Sequence, residues 1–291
     1  MSNPTDKPPR TPLHWRLPRF GLRTLLTVVL VYCLVLCWVG ARWRSLEEQK
    51  RVLASIERFG PGVVSSRGDV VVLSLKSTEI HDDDLRSVGQ LKSLEQLDLE
   101  HTKITDTGIA YLAGLKNLRY LSISGTRITD DALQTIGKLT KLEDLLIGAT
   151  NVSDAGLAHL HELTTLRCID IGATKVGDDG LARLSDLQQL RRIYLGETRI
   201  TDRGLEHLRN HHQLRFLALN GTRITDAGLT NLANLDQLET LWLHKTSISD
   251  AGLAHLDHLQ GLQQLELMQT SVSDSGVSEL HRQLPRLRVL R

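Results

Sequence analysis

Cysteine is scarce. Cys33, Cys37 and Cys168 are the only three in 291 residues. An odd count at wide spacing excludes a disulfide framework and any CxxC metal or redox motif. Aromatic residues make up only 4%, so any grouping of them carries information. Net charge is +1, which leaves no overall field to draw the chain to nucleic acid. Catalytic signatures are missing too. No GxSxG, P-loop or GxGxxG stands in a suitable context, and "HELTT" at 161–165 lacks the second histidine of a zinc protease. The expectation is a protein that is not an enzyme and carries no cofactor.

What is present begins with an uneven charge distribution. Residues 1–23 hold Lys7, Arg10, Arg16, Arg19 and Arg23 against Asp6 alone. Behind this basic tail, the stretch from Thr24 to Ala41 is free of charge and is closed by Arg42 and Arg44. At 1.5 Å per residue such a helix is about 27 Å long, close to the roughly 30 Å hydrocarbon core of a bilayer. Trp15, Trp38 and Trp43 sit near its ends, where indoles favour the interface. A signal anchor retained in the membrane is the leading reading. Val39-Gly40-Ala41 has the small residues of a cleavage site, but the apolar run exceeds the usual h-region. A lipoprotein anchor at Cys37 is disfavoured by Leu36 before it. The expected topology is a single-pass protein with a cytoplasmic N-terminus and a periplasmic or extracytoplasmic C-terminal part. Residues 42–60 continue as a juxtamembrane helix. Leu46, Val52, Leu53, Ile56 and Phe59 form a helical stripe that packs on the next domain or makes a short coiled-coil contact.

From Val70 the chain repeats with a fixed period. The repeats start at Val70, Leu94, Leu118, Leu142, Leu166, Leu190, Leu214, Leu238 and Leu262, and the last carries one extra residue. "LRVLR" at the end opens a further strand. The consensus is LxxLxLxxTxITDxGLxxLxxLxx. Positions 4 and 6 alternate as in a strand with one buried face, and positions 16, 19 and 22 recur as on a helical turn. One strand, one turn and one short helix cannot bury a core alone, so the units must stack.

The segment "LEQLDLEHTKITDTGIAYLAGLKN", 94–117, resembles a leucine-rich repeat of the bacterial variety with Thr where many such proteins place Asn. Together with the preceding "RFGLRTLLTVVLVYCLVLCWVGARW", it is similar to membrane-anchored leucine-rich-repeat proteins of planctomycete bacteria. The resemblance covers about four fifths of the chain. It implies an α/β solenoid over 70–291, with parallel strands on the concave side, short helices on the convex side and one transmembrane helix, 24–41, before it. It also implies a binding module for another protein or peptide. A structural or glycan-binding role in the cell envelope is the second reading. Ubiquitin-ligase substrate receptors have similar repeats, but the apolar run and the absence of an adaptor-binding domain argue against them.

Three constant positions look structural. Thr at position 9 of every repeat is expected to satisfy backbone groups of the neighbouring turn. Asp at position 13 of every repeat reads as a helix N-cap, and calcium between stacked carboxylates is a remote alternative. Gly at position 15 of seven repeats reads as close packing between strand and helix layers. Residues 61–69 read as a capping strand and turn, whose Arg67-Gly68-Asp69 needs no adhesive role. Among the histidines, His207 and His211 are four apart and His255 and His258 three apart. His159, His207 and His255 lie two repeats apart, too far to share an ion. His211 replaces the leucine of position 22 and is expected to be half-buried. No metal site is assigned.

The variable positions hold what a partner would read. Positions 3, 5 and 7 point away from the buried 4 and 6 and line the concave face. Here the later repeats place Arg192, Tyr194, Phe216, Trp242, His244 and Met268, with Arg167, Arg191 and Arg215 in a row at position 2. Aromatic, Arg and Met residues favour interface centres. Arg192, Tyr194, Phe216, Trp242 and His244 are the expected centre of the partner-binding patch. Gly148, Gly172 and Gly196 leave a smooth strip beside it. Cys168, on the same face, is expected to be exposed but has no base beside it to make it catalytic.

Overall fold

The computed structural model describes residues 22–66 and 69–291. Lys7, Arg10, Trp15, Arg16 and Arg19 of the basic tail, and the turn residues Arg67 and Gly68, lie outside the described residues. The chain divides into two compact units, one ending at Glu47 and one running from Glu48 to Arg291. Helix α1 spans Leu22–Ile56. It is long and apolar enough to cross a membrane, and Leu30, Tyr32, Leu34 and Leu36 are among the apolar side chains it leaves exposed.

The second unit is the solenoid. Strand β1 (Gly62–Ser66) pairs antiparallel with β2 (Asp69–Ser74). Nine short strands then follow in parallel order. These are β3 (Gln96–Asp98), β4 (Tyr120–Ser122), β5 (Asp144–Leu146), β6 (Cys168–Asp170), β7 (Arg192–Tyr194), β8 (Phe216–Ala218), β9 (Thr240–Trp242), β10 (Gln264–Glu266) and β11 (Arg288–Leu290). The pairing offset is one repeat throughout, and β11 keeps it, with Leu265 opposite Val289. Strand β11 therefore places Val289 at position 4, where the extra residue of the last repeat would have put Leu290. The leucines and isoleucines of positions 1, 4, 6, 11, 16, 19 and 22 form one continuous core. At the near end, Val52 and Ile56 are buried in that core and Leu53 and Phe59 pack against it, which leaves neither Val52 nor Ile56 for a coiled-coil partner. Gln49 reinforces this end: its side-chain oxygen accepts from the Val70 amide at 2.7 Å and its amide donates to Asp69 at 2.8 Å.

Each strand leaves through a left-handed residue at position 8. Ser77, His101, Gly125, Ala149, Ala173, Glu197, Gly221, Lys245 and Gln269 all have positive φ, from 53° to 68°. This bend sets the role of Thr at position 9. Its hydroxyl donates to the carbonyl of position 6 in its own repeat, at 2.5–2.7 Å in all nine. The expected ladder to a neighbouring turn is not what forms.

The aspartate of position 13 also departs from expectation. The N-cap is the residue before it, Thr105 or Ser153 for example, and the aspartate is the first helical residue. Its carboxylate reaches forward to the next repeat. Asp178 accepts from the Thr201 amide at 2.8 Å and from the Thr201 hydroxyl at 2.6 Å. Seven of the eight rungs from Asp82 to Asp250 have both bonds. The exception is Asp154, whose partner is Gly177 and which keeps only the amide bond, at 2.7 Å. The position-15 glycines make room for this ladder as well as for close packing against core side chains such as Ile104 and Leu133. A Cβ at Gly108, Gly156, Gly180, Gly204, Gly228, Gly252 or Gly276 would overlap the Oδ1 of the preceding repeat's aspartate.

Hydrogen bonds to charged groups contribute about 1.5–3 kcal/mol each. Asp178→Ala is therefore expected to lower unfolding free energy by at least about 2 kcal/mol, and Asp154→Ala by distinctly less. Urea denaturation of the two variants checks this, and equal losses would contradict the ladder.

Candidate functional site

The concave sheet carries the candidate site because positions 3 and 5 of each strand are the side chains that the buried position 4 turns outward. Tyr194 and Phe216 have ring centroids 4.5 Å apart, Phe216 and Trp242 4.8 Å, and Tyr194 and Trp242 6.4 Å. Phe216 and Trp242 meet edge to face, a favourable quadrupole arrangement. Ala218 makes this possible. In register it lies between Tyr194 and Trp242, and it is buried while the three rings remain half-exposed. A small residue on the middle strand lets rings from the two flanking strands lean together. The indole N–H of Trp242 is buried and has no acceptor among the described residues. An unpaired buried donor costs about 1–3 kcal/mol.

The other two expected residues turn elsewhere. Arg192 reaches over β6 to donate to Asp144 at 2.8 Å, two repeats away. His244 Nδ1 lies 3.4 Å from Glu266 Oε2, an ion-pairing distance without hydrogen-bond alignment. The structure thus joins Tyr194, Phe216 and Trp242 in one cluster. Arg192 and His244 form separate pairs with carboxylates on this face.

Cys168 is not exposed: it keeps 3% of its surface, beneath the Arg192–Asp144 bridge. Burial pushes its thiol up to about 12, against the pull of the Arg192 charge. His211 is fully rather than half buried, because its Nε2 meets the Leu184 carbonyl at 3.2 Å, and the same burial lowers its pKa. Asp170 went unnoticed in the sequence. Its carboxylate lies against Gly148 and Gly172 and accepts from the Gly172 amide at 2.9 Å. Burial raises its pKa, partly countered by that amide. Glycine at position 7 of three successive repeats was the available signal. At Gly148 and Gly196 a side chain of the following repeat, Asp170 or Asn220, occupies the space. Among the described residues no group of three or more His, Cys, Asp or Glu is placed to hold a metal ion.

Comparison with known proteins agrees with this architecture. Three segments, 90–113, 114–137 and 210–233, match the Leucine Rich repeat family. The fold is a leucine-rich-repeat solenoid. Similar solved structures include a leucine-rich-repeat protein of Leptospira interrogans, at 17% identity and TM-score 0.53, covering 70% of this chain and 56% of that one. A plant peptide hormone receptor in complex with RGF2 shares 18% identity at TM-score 0.53, covering 79% of this chain and 40% of that one. Internalin C2 of Listeria monocytogenes shares 23% identity at TM-score 0.49, covering 82% and 91%. At such identities the likeness is one of fold. This chain spans about half of the Leptospira protein and less than half of the plant receptor. No curated protein matches it.

Two outcomes are expected. In a Cys33→Ser/Cys37→Ser background, Cys168 is inert to iodoacetamide at mildly alkaline pH while the chain is folded and reacts on unfolding in urea. Mass spectrometry reads the label, and rapid labelling of folded protein would contradict the burial. Asp170 has a folded pKa above its unfolded value. Its contribution is therefore fully present below the ordinary carboxylate range and is lost as pH rises through the raised value. Asp170→Asn is expected to raise the thermal midpoint at neutral pH and to change it little in acid below the carboxylate range, as followed by circular dichroism.

Proposed function

We propose that this chain is a membrane-anchored binding module that holds a protein or peptide on its concave sheet. Tyr194, Phe216 and Trp242 form the centre of the patch, and Arg192 and His244 flank it. The observation that carries this reading is the ring cluster itself. Three of the chain's few aromatics stand together on outward sheet positions, half-exposed, with an indole N–H that lacks an acceptor among the described residues. A solenoid of constant pitch needs no aromatic there, whereas interface centres are rich in Trp, Tyr and Arg. Recognition works by shape and contact over a rigid surface, without a chemical step. The plant receptor solved in complex with RGF2 supports a ligand-binding use of this fold. The apolar run 24–41 in α1 and the basic residues before it support anchoring with the N-terminus inside the cell.

Pull-down from solubilised membranes compares the intact chain with a Tyr194→Ala/Phe216→Ala/Trp242→Ala variant whose folding circular dichroism verifies. Each lost anchor residue costs about 2 kcal/mol or more, roughly thirtyfold in affinity. A protein held by the intact chain and absent from the folded variant is expected. Equal recovery on both would remove the patch from recognition, and capture of envelope glycan alone would replace a protein ligand by a saccharide.

A further inference from the structure

Beside the ring cluster, at the edge where the strands begin, the concave face holds a depression of about 450 Å³. Phe216, the middle ring, lines one side of it. Position 2 of three successive repeats places Arg167, Arg191 and Arg215 around it, and Arg192 joins them from position 3. With strands about 4.8 Å apart, these guanidiniums stand in adjacent rows.

The carboxylates of this region are already engaged. Glu143 pairs with Arg167 at 3.0 Å and also with Arg119. Asp144 pairs with Arg192 at 2.8 Å, and Glu239 with Arg215 at 2.8 Å. Arg191 stands between Arg167 and Arg215, and no carboxylate lies within ion-pairing distance of it among the described residues. It is exposed. The depression therefore carries a surplus positive charge at its middle, with an aromatic wall beside it. Like charges in neighbouring rows repel and raise the local potential, which an anion would lower.

Resting on the proposed binding role, we infer that the ligand is a peptide segment carrying an Asp or Glu side chain beside an aromatic or aliphatic one. The carboxylate sits on Arg191, whose planar fork matches it in bidentate geometry. The apolar neighbour lies against Phe216 and the adjoining rings. Charge complementarity favours an acidic segment, and the depression is large enough to take one side chain while the peptide crosses the rings.

The test is a selection of random displayed peptides against the full chain in detergent micelles. Peptides in which Asp or Glu lies within two positions of Phe, Trp or Leu are expected to be enriched. One such peptide, synthesised, is expected to bind at least tenfold more weakly to Arg191→Ala, and to lose at least tenfold when its acidic residue becomes the amide. The two losses are not additive if the groups touch. An Arg191→Glu chain is expected to recover binding when the peptide's acid is replaced by Lys. Arg191 is exposed and has no ion pair among the described residues, so its substitution is expected to leave the fold intact, which circular dichroism checks. Enriched peptides without an acidic residue, or affinity unchanged by Arg191→Ala, would overturn the inference while leaving the binding role standing. Equal enrichment on the chain and on the three-ring alanine variant, or none on either, would overturn both.

Discussion

A carboxylate that bonds forward to the next repeat fixes the spacing of everything else in this solenoid. From Asp82 to Asp250 the position-13 side chain leaves its own helix and ties down the amide, and in most repeats the hydroxyl, that begins the next one. A helix start needs its first amides satisfied. Here the preceding repeat supplies part of what is needed. Each unit is thus incomplete without the one before it, which is the polar counterpart of a hydrophobic core that no single unit can close. Glycine at position 15 of seven repeats gives that carboxylate room, while Ala132 takes the same position beside Asp106, whose two bonds to Thr129 remain.

Constant pitch on the convex side has a consequence on the concave side. Strands paired one repeat apart present positions 3 and 5 as a regular grid, and side-chain size alone decides what happens on it. Ala218 lowers one grid point, so the rings of Tyr194 and Trp242 close over it against Phe216. Gly148 and Gly172 lower two more, and the Asp170 carboxylate settles there. Arg192 spans two intervals to reach Asp144 and seals Cys168 below. The chemistry of the face is written in alternations of small and large residues on an otherwise uniform lattice.

Period, strand, helix and core were legible in the sequence because burial recurs once per repeat at the same positions and leucine marks it. The grouping of Tyr194, Phe216 and Trp242 was legible for the same reason, since register across parallel strands follows directly from the period. Contacts between repeats were not. Thr and Asp at positions 9 and 13 have the same local spacing whether they bond within a repeat or across two, and only the packing distance decides. The left-handed turn at position 8 left little trace, because seven of its nine residues are not glycine. The burial of Cys168 was hidden as well, since it depends on an arginine of the next repeat reaching back past it to Asp144.

Gly177 gives the solenoid one point of unequal compliance. On the convex side its rung has a single bond where the others have two. On the concave side, the same stretch is clamped by the Arg192–Asp144 bridge and by Arg167 on Glu143. Bending energy is lowest where one edge of a beam is loosened and the other held. The aspartate ladder therefore opposes a change of curvature least between the fourth and fifth repeats, beside the glycine strip and one strand from the rings.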